Sequence, residues 1–106
     1  MDENVYQRKL IKKIKEMIPG CIVMKNDPNY IQGIPDLTIL HGKRWATLEV
    51  KKSEKAEKQT NQPEYVERMN KMSFSSFIYP ENEKEVLDAL QQSLQPRRSS
   101  RSVRSK

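Results

Sequence analysis

A chain of 106 residues has room for one domain built on a single modest core. With 35% hydrophobic and 32% charged residues, its composition is that of a soluble globular domain, and no apolar run approaches the ~18 residues that a membrane span needs. One cysteine, Cys21, excludes an internal disulfide, and with one histidine, His41, it excludes a zinc site. The start, MDENVYQRKL, lacks the apolar segment of a signal peptide, so a reducing, cytoplasmic setting is expected. The net charge of +6 is unevenly spread. Residues 96–106, PRRSSRSVRSK, hold five basic side chains and no acid, whereas residues 1–95 hold 15 basic against 14 acidic. We expect a folded domain over 1–95 and a disordered basic tail over 96–106, because the tail has too little apolar surface to offset its chain entropy. Such a tail would add sequence-independent attraction to phosphates, or serve only as a solubilising extension.

The first predicted element is a helix over residues 3–18. Tyr6, Leu10, Ile11, Ile14, Met17 and Ile18 recur at helical spacing, Asp2 is placed to cap it, and Pro19-Gly20 ends it. Cys21 to Met24 reads as a short strand, and KNDPNYIQG as a loop dense in turn formers. Asp36–Leu40 and Trp45–Lys51 read as strands joined through His41-Gly42-Lys43-Arg44. After the polar stretch SEKAEKQTNQ, Thr60 or Asn61 is placed to cap a helix with Pro63 in its first turn and Tyr65, Val66, Met69 and Met72 on one face. A strand over Phe74–Tyr79 follows. Pro80 and Asn82 then lead into a last helix carrying Val86, Leu87, Leu90 and Leu94. The expected fold is α/β, an α-β-β-β-α-β-α order around a mixed sheet of about four strands.

Three charges interrupt the apolar pattern of the hairpin: Asp36, Glu49 and Lys51. Uncompensated charge in such a context is costly. A four-residue loop at 41–44 pairs Leu40 with Trp45 and sets Asp36 opposite Glu49, with Cβ atoms ~5 Å apart. A two-residue turn pairing Asp36 with Thr47 would leave the carboxylates diagonal, still within reach of one ion. Two carboxylates so close repel unless a cation lies between them, and a hard divalent cation suits oxygen ligands. Lys51, two residues on and on the same face as Glu49, is placed to orient or help deprotonate a water and to offset charge developing on a phosphate. Carboxylates, a divalent metal and a lysine together suit phosphodiester hydrolysis.

Gly33-Ile34-Pro35-Asp36, a short spacer, then Glu49-Val50-Lys51, with a glutamine ahead of the next helix, resembles the PD-(D/E)XK nuclease superfamily. More narrowly it resembles the virus-type replication-repair nucleases (VRR-Nuc), found as stand-alone phage proteins and as domains of larger repair nucleases. The likeness spans roughly residues 3–90 and implies a restriction-endonuclease-like αβββαβ core with a further C-terminal helix. It implies Asp36 and Glu49 as ligands of Mg²⁺ or Mn²⁺, with the Val50 carbonyl completing the shell, and Lys51 as the catalytic lysine. Gln62 matches the family's glutamine, with Gln59 as second choice, and Glu3 matches its N-terminal glutamate. The implied activity is an endonuclease cutting branched DNA such as Holliday junctions or flaps, as a homodimer, in a bacterial or phage-infected cell. The alternative is a non-catalytic nucleic-acid-binding module on the same fold. Dimer contacts are expected on the last helix or on Phe74–Tyr79. Lys51, Lys52, Lys55 and Lys58 are expected phosphate contacts, and Lys25, Asn26, Tyr30 and Gln32 lie where a loop would grip a DNA backbone. His41 is expected to be a turn residue.

Overall fold

Asp2 opens the first helix, α1 (Glu3–Met17), by accepting a hydrogen bond from the Val5 N–H at 3.0 Å through its side chain. The Ile18 N–H still donates to the Ile14 carbonyl, after which Pro19 and Gly20, at φ +87°, turn the chain away. These are coordinates of a computed structural model, which describes residues 2–96; the basic tail expected over 96–106 lies, but for Pro96, outside the described residues. Three strands follow, β1 (Ile22–Lys25), β2 (Leu37–His41) and β3 (Arg44–Val50), each antiparallel to the next. Leu40 pairs with Trp45 as expected. The ladder runs one pair further, to His41–Arg44, so the connection is Gly42-Lys43 rather than a four-residue loop. Gly42 takes φ +60°, the left-handed conformation that two-residue hairpin turns demand. The register is unchanged by this tighter turn, and Thr38, not Asp36, lies opposite Thr47.

Helix α2 (Gln62–Met72) carries the chain across to β4 (Phe74–Ile78), which joins β3 in parallel, so the spatial order is β1-β2-β3-β4. A short 3₁₀ turn, Pro80–Asn82, leads into α3 (Glu83–Leu94). Strand side chains alternate between the two faces of the sheet. On one face Leu37, Ile39, Ala46, Leu48, Val50 and Ile78 join Tyr6, Leu10, Ile14 and Ile18 from the α1 segment and Val86, Leu90 and Leu94 from α3 in a single buried cluster. Polar tethers cross over that core. The Tyr6 hydroxyl donates to Glu83 Oε1 at 2.9 Å, Lys13 pairs with the same carboxylate, and Gln91 Nε2 donates to the Met17 carbonyl at 3.2 Å.

The other face is covered more thinly. No residue of α2 is fully buried: Tyr65, Val66 and Met69 are half-buried, and Met72, expected on the same stripe, is exposed. Asn61 stands at the N-cap position, yet its left-handed backbone (φ +73°) leaves the side chain without the expected cap hydrogen bond. Among the described residues, the large apolar side chains left exposed are Ile22, Met24, Tyr30 and Met72, on β1, its following loop and α2. They are not on α3 or β4, where dimer contacts were expected. The reason is α3's position: its apolar stripe is used up against the sheet.

Candidate active site

Pro35 and Asp36 explain each other once the register is extended. The β2–β3 pairing continued by two residues sets Val50 across from Pro35, which has no N–H to donate. The ladder therefore gives the Val50 carbonyl no partner. The Val50 N–H meets Asp36 instead, donating to Oδ2 at 2.9 Å, while the Lys51 N–H faces the opposite way and bonds the Ile78 carbonyl. The sheet opens at this point and holds a carboxylate in the opening.

Glu49 lies on the same face and is 2% exposed. The charge of Asp36, on the extension of the neighbouring strand, is felt at its carboxyl. Gln62, the first residue of α2, donates from Nε2 to Glu49 Oε2 at 2.9 Å, and its Oε1 accepts from the Gln59 N–H at 2.8 Å. Both ends of the amide are thus fixed, and Gln59 takes part through its backbone rather than its side chain. Lys51 is also buried, at 6% exposure, with Nζ 3.7 Å from Glu49 Oε2. Glu3, in the first turn of α1, reaches over from the apolar side of the molecule and accepts from the Lys52 N–H at 3.0 Å. Its charge is felt at Asp36. Asp36, Glu49, Lys51, Gln62 and Glu3 are all accounted for within this one end of the sheet.

The electrostatics of the pair are unsatisfied. Burial and the neighbouring Asp36 carboxylate push Glu49 up to about 8, and burial, with a contribution from Glu3, raises Asp36. Lys51 opposes both shifts without cancelling them. Among the described residues, Glu49 Oε1 is a fully buried side-chain oxygen with no hydrogen-bond partner. An orphaned buried carboxylate oxygen normally has an explanation, and a role as a metal ligand is one. Two carboxylates and the Val50 carbonyl are hard oxygen donors of the type Mg²⁺ and Mn²⁺ prefer. No group of three or more His, Cys, Asp or Glu suited to a metal gathers among the described residues. A metal held here would keep positions for water and phosphate, as Mg²⁺ sites commonly do. The residues fit the group.

Two supports were not visible in the sequence. Asn26, expected at a DNA contact, turns inward: its Nδ2 donates to the Pro35 carbonyl at 2.8 Å and to Thr38 Oγ1 at 2.9 Å, and its N–H donates to the Asp36 carbonyl at 2.8 Å. It clamps the loop that delivers Asp36. Gly33 takes φ +90° and lies so close to the turn before α2 that an added Cβ would sit 2.5 Å from Asn61 Cβ. That approach ties the loop of Asp36 to the start of the helix that carries Gln62. A side-chain amide near a strand end and a glycine before Ile-Pro-Asp were the only signals, and neither names its distant partner. His41 ends β2, and its Nδ1 lies 3.2 Å from the Leu94 carbonyl, at the α3 terminus. Lys58 stacks on Phe77, with Nζ 5.0 Å from the ring centroid, and Phe77 is the direct β4 neighbour of Glu49. One of the expected phosphate-contacting lysines thereby rests on the strand neighbour of Glu49.

A solved structure described as a "VRR_NUC domain protein" superimposes on this chain with a TM-score of 0.62, over 89% of this chain and 88% of that one, at 16% identity. The fold is that of a VRR_NUC domain. No family model matches the sequence, and no curated protein matches it. At this identity the likeness rests on the backbone path, the restriction-endonuclease-like arrangement of a four-stranded mixed sheet between helices with a further helix at the C-terminal end. The side-chain geometry of the carboxylate pair is independent of it.

Proposed function

We propose that this chain is a Mg²⁺- or Mn²⁺-dependent endodeoxyribonuclease that hydrolyses phosphodiester bonds in branched DNA, such as Holliday junctions or flaps, and works as a homodimer. The observation that carries the reading is the partnerless, buried Oε1 of Glu49, a carboxylate under the charge of Asp36 and with Lys51 Nζ 3.7 Å from its other oxygen. In this reading Asp36, Glu49 and the Val50 carbonyl hold the metal, which when bound supplies positive charge for the phosphate and for an attacking water. Gln62 fixes the orientation of Glu49 through Oε2, leaving Oε1 free. Lys51 Nζ would orient the water and offset the charge that develops on the phosphate. Glu3 holds the Lys52 backbone, and so the segment just past Lys51, in place. A non-catalytic nucleic-acid-binding module on this fold would leave the burial of Glu49 and Lys51 without a purpose.

The geometry of two-strand cutting motivates the dimer, since two sites related by a two-fold axis address two symmetric strands. A sedimentation measurement at micromolar concentration that finds only monomers, free and junction-bound, overturns it. No helix among the described residues is long and apolar enough to cross a membrane, and the working compartment in this reading is the cytoplasm of a bacterial or phage-infected cell.

The test separates chemistry from ion binding. Lys51→Met is expected to reduce cleavage of junction or flap DNA by about a hundredfold or more, with Mn²⁺ affinity by calorimetry unchanged or higher, because a nearby cation repels the ion. Glu49→Gln is expected to weaken Mn²⁺ binding and cleavage together, because a charged ligand is removed. Parent-like cleavage by Lys51→Met would remove the proposed site. Removing residues 97–106 is expected to flatten the salt dependence of DNA binding by about 0.9 in log–log slope for each phosphate that the tail neutralises.

A further inference from the structure

On the same face of the sheet, directly beside the candidate site, runs a groove of about 530 Å³ that the catalytic reading does not use. Its walls are Tyr30, Ile31 and Ile34 from the loop after β1 and Met69 from α2, with Asn26 and Thr38 at its floor. It is continuous with the site on two sides. Thr38 follows Asp36 by two residues, so both project from one face about 7 Å apart along the strand. Met69 and Gln62 lie seven residues apart on α2, hence on one helical face, and Thr47 Oγ1 reaches Met69 Sδ at 3.5 Å just as Gln62 reaches Glu49. At the outer rim stands Tyr30, an aromatic ring 84% exposed where burial would normally be sought.

We propose that this groove receives an unpaired nucleobase of the substrate, next to the phosphate held at Asp36 and Glu49, with the base stacking on Tyr30 and resting against Ile31, Ile34 and Met69. The proposal rests on the nuclease reading for its substrate. Charge selects a base over a phosphate: the residues lining the groove include the carboxylate of Asp27 and neither lysine nor arginine. An anion is disfavoured there, whereas an uncharged, flat, partly apolar ring is suited to the walls. Stacking on a tyrosine accepts any base because every base has a π face. The floor adds little discrimination. Asn26 and Thr38 hydrogen-bond each other, and Asn26 also bonds Pro35, so their polar atoms are already committed. A base enters such a groove only from single-stranded or locally unpaired nucleic acid, since in a duplex its faces are covered. The substrate class follows: DNA with at least one unpaired nucleotide at the point of cutting.

The experiment pairs Tyr30→Ala and Tyr30→Phe with oligonucleotide flaps in which a single abasic nucleotide is moved through positions on either side of the cleaved bond. Binding is measured by anisotropy in Ca²⁺ and cleavage in Mg²⁺. The parent is expected to lose roughly five- to a hundredfold in affinity at one abasic position. Tyr30→Ala is expected to show that same loss on every substrate and no further dependence on abasic position, with Tyr30→Phe like the parent. A 2-aminopurine at the sensitive position is expected to be quenched on binding by the parent and not by Tyr30→Ala. Cleavage that proceeds normally with a flat abasic profile overturns the groove while leaving the nuclease intact. A position-selective profile and quenching without cleavage keep the groove and overturn the nuclease. Absence of any DNA binding, or a Tyr30→Ala effect on sedimentation alone, overturns the groove, the latter assigning it to a second copy of the chain.

Discussion

The two faces of the sheet are built by opposite rules. On the α1/α3 face, the fully buried positions are apolar, the helices bury a continuous stripe, and the polar tethers sit at the periphery. On the α2 face, Thr47, Glu49, Lys51 and Ser75 are buried, the covering helix buries no residue fully, and one carboxylate oxygen has no partner. The first face supplies stability through area removed from water. The second carries polar groups whose burial works against stability unless something else joins them. A protein this small tolerates such a face because β3 is shared: Ala46, Leu48 and Val50 anchor the strand from one side while Thr47, Glu49 and Lys51 are displayed from the other.

The largest expected contrast comes from substituting neighbours on β3. Leu48→Ala, on the apolar face, should lower unfolding free energy by about 2–5 kcal/mol in urea titration. Glu49→Gln, one residue on, should leave the metal-free protein as stable or more so at pH 8, since it removes a buried repulsive charge. A destabilisation by Glu49→Gln equal to that of Leu48→Ala would abolish the distinction between the faces.

The next effect is the pH dependence. Glu49 is pushed up to about 8 in the folded state, well above the ordinary glutamate value of 4.5, and Asp36 is raised as well. The folded state therefore binds more protons than the unfolded one between those limits, and stability falls as pH rises. With each unit worth about 1.4 kcal/mol, metal-free protein should lose a few kcal/mol between pH 5 and pH 8. Millimolar Mn²⁺ should restore most of that loss at pH 8, and Glu49→Gln should remove most of the slope. Calorimetric melting across this range checks all three; a slope of opposite sign would mean the carboxyl pair is already compensated.

A smaller effect is expected where the polar face is stitched together. Gly33→Ala places a Cβ against Asn61 on a left-handed backbone, and should cost about 1–3 kcal/mol and lower cleavage by displacing Gln62. Loss of stability without loss of cleavage would show that the loop's approach to α2 serves folding alone. The smallest is at the other end of the comparison. Asp2→Ala removes the cap of α1 and should cost about 1 kcal/mol in thermal melting, with the active site disturbed only through Glu3.

Much of this architecture is local physics and was legible in the chain. The Asp2 cap, the Pro19-Gly20 stop, the α1 stripe and the strand alternation each follow from a few adjacent residues. The same alternation sets Asp36 and Glu49 on one face, with Lys51 following. What the sequence left open had to be decided by interactions between distant segments. Whether the glutamine ahead of α2 meets Glu49, whether Asn26 faces solvent or clamps Pro35, and whether Tyr30 stands over a groove all depend on how a thinly packed helix and a long loop settle against a finished sheet. Periodicity determines which way a side chain points from its own element, because backbone geometry is local. Which partner it meets is fixed only when the apolar face has closed and the elements behind it have no other place to go.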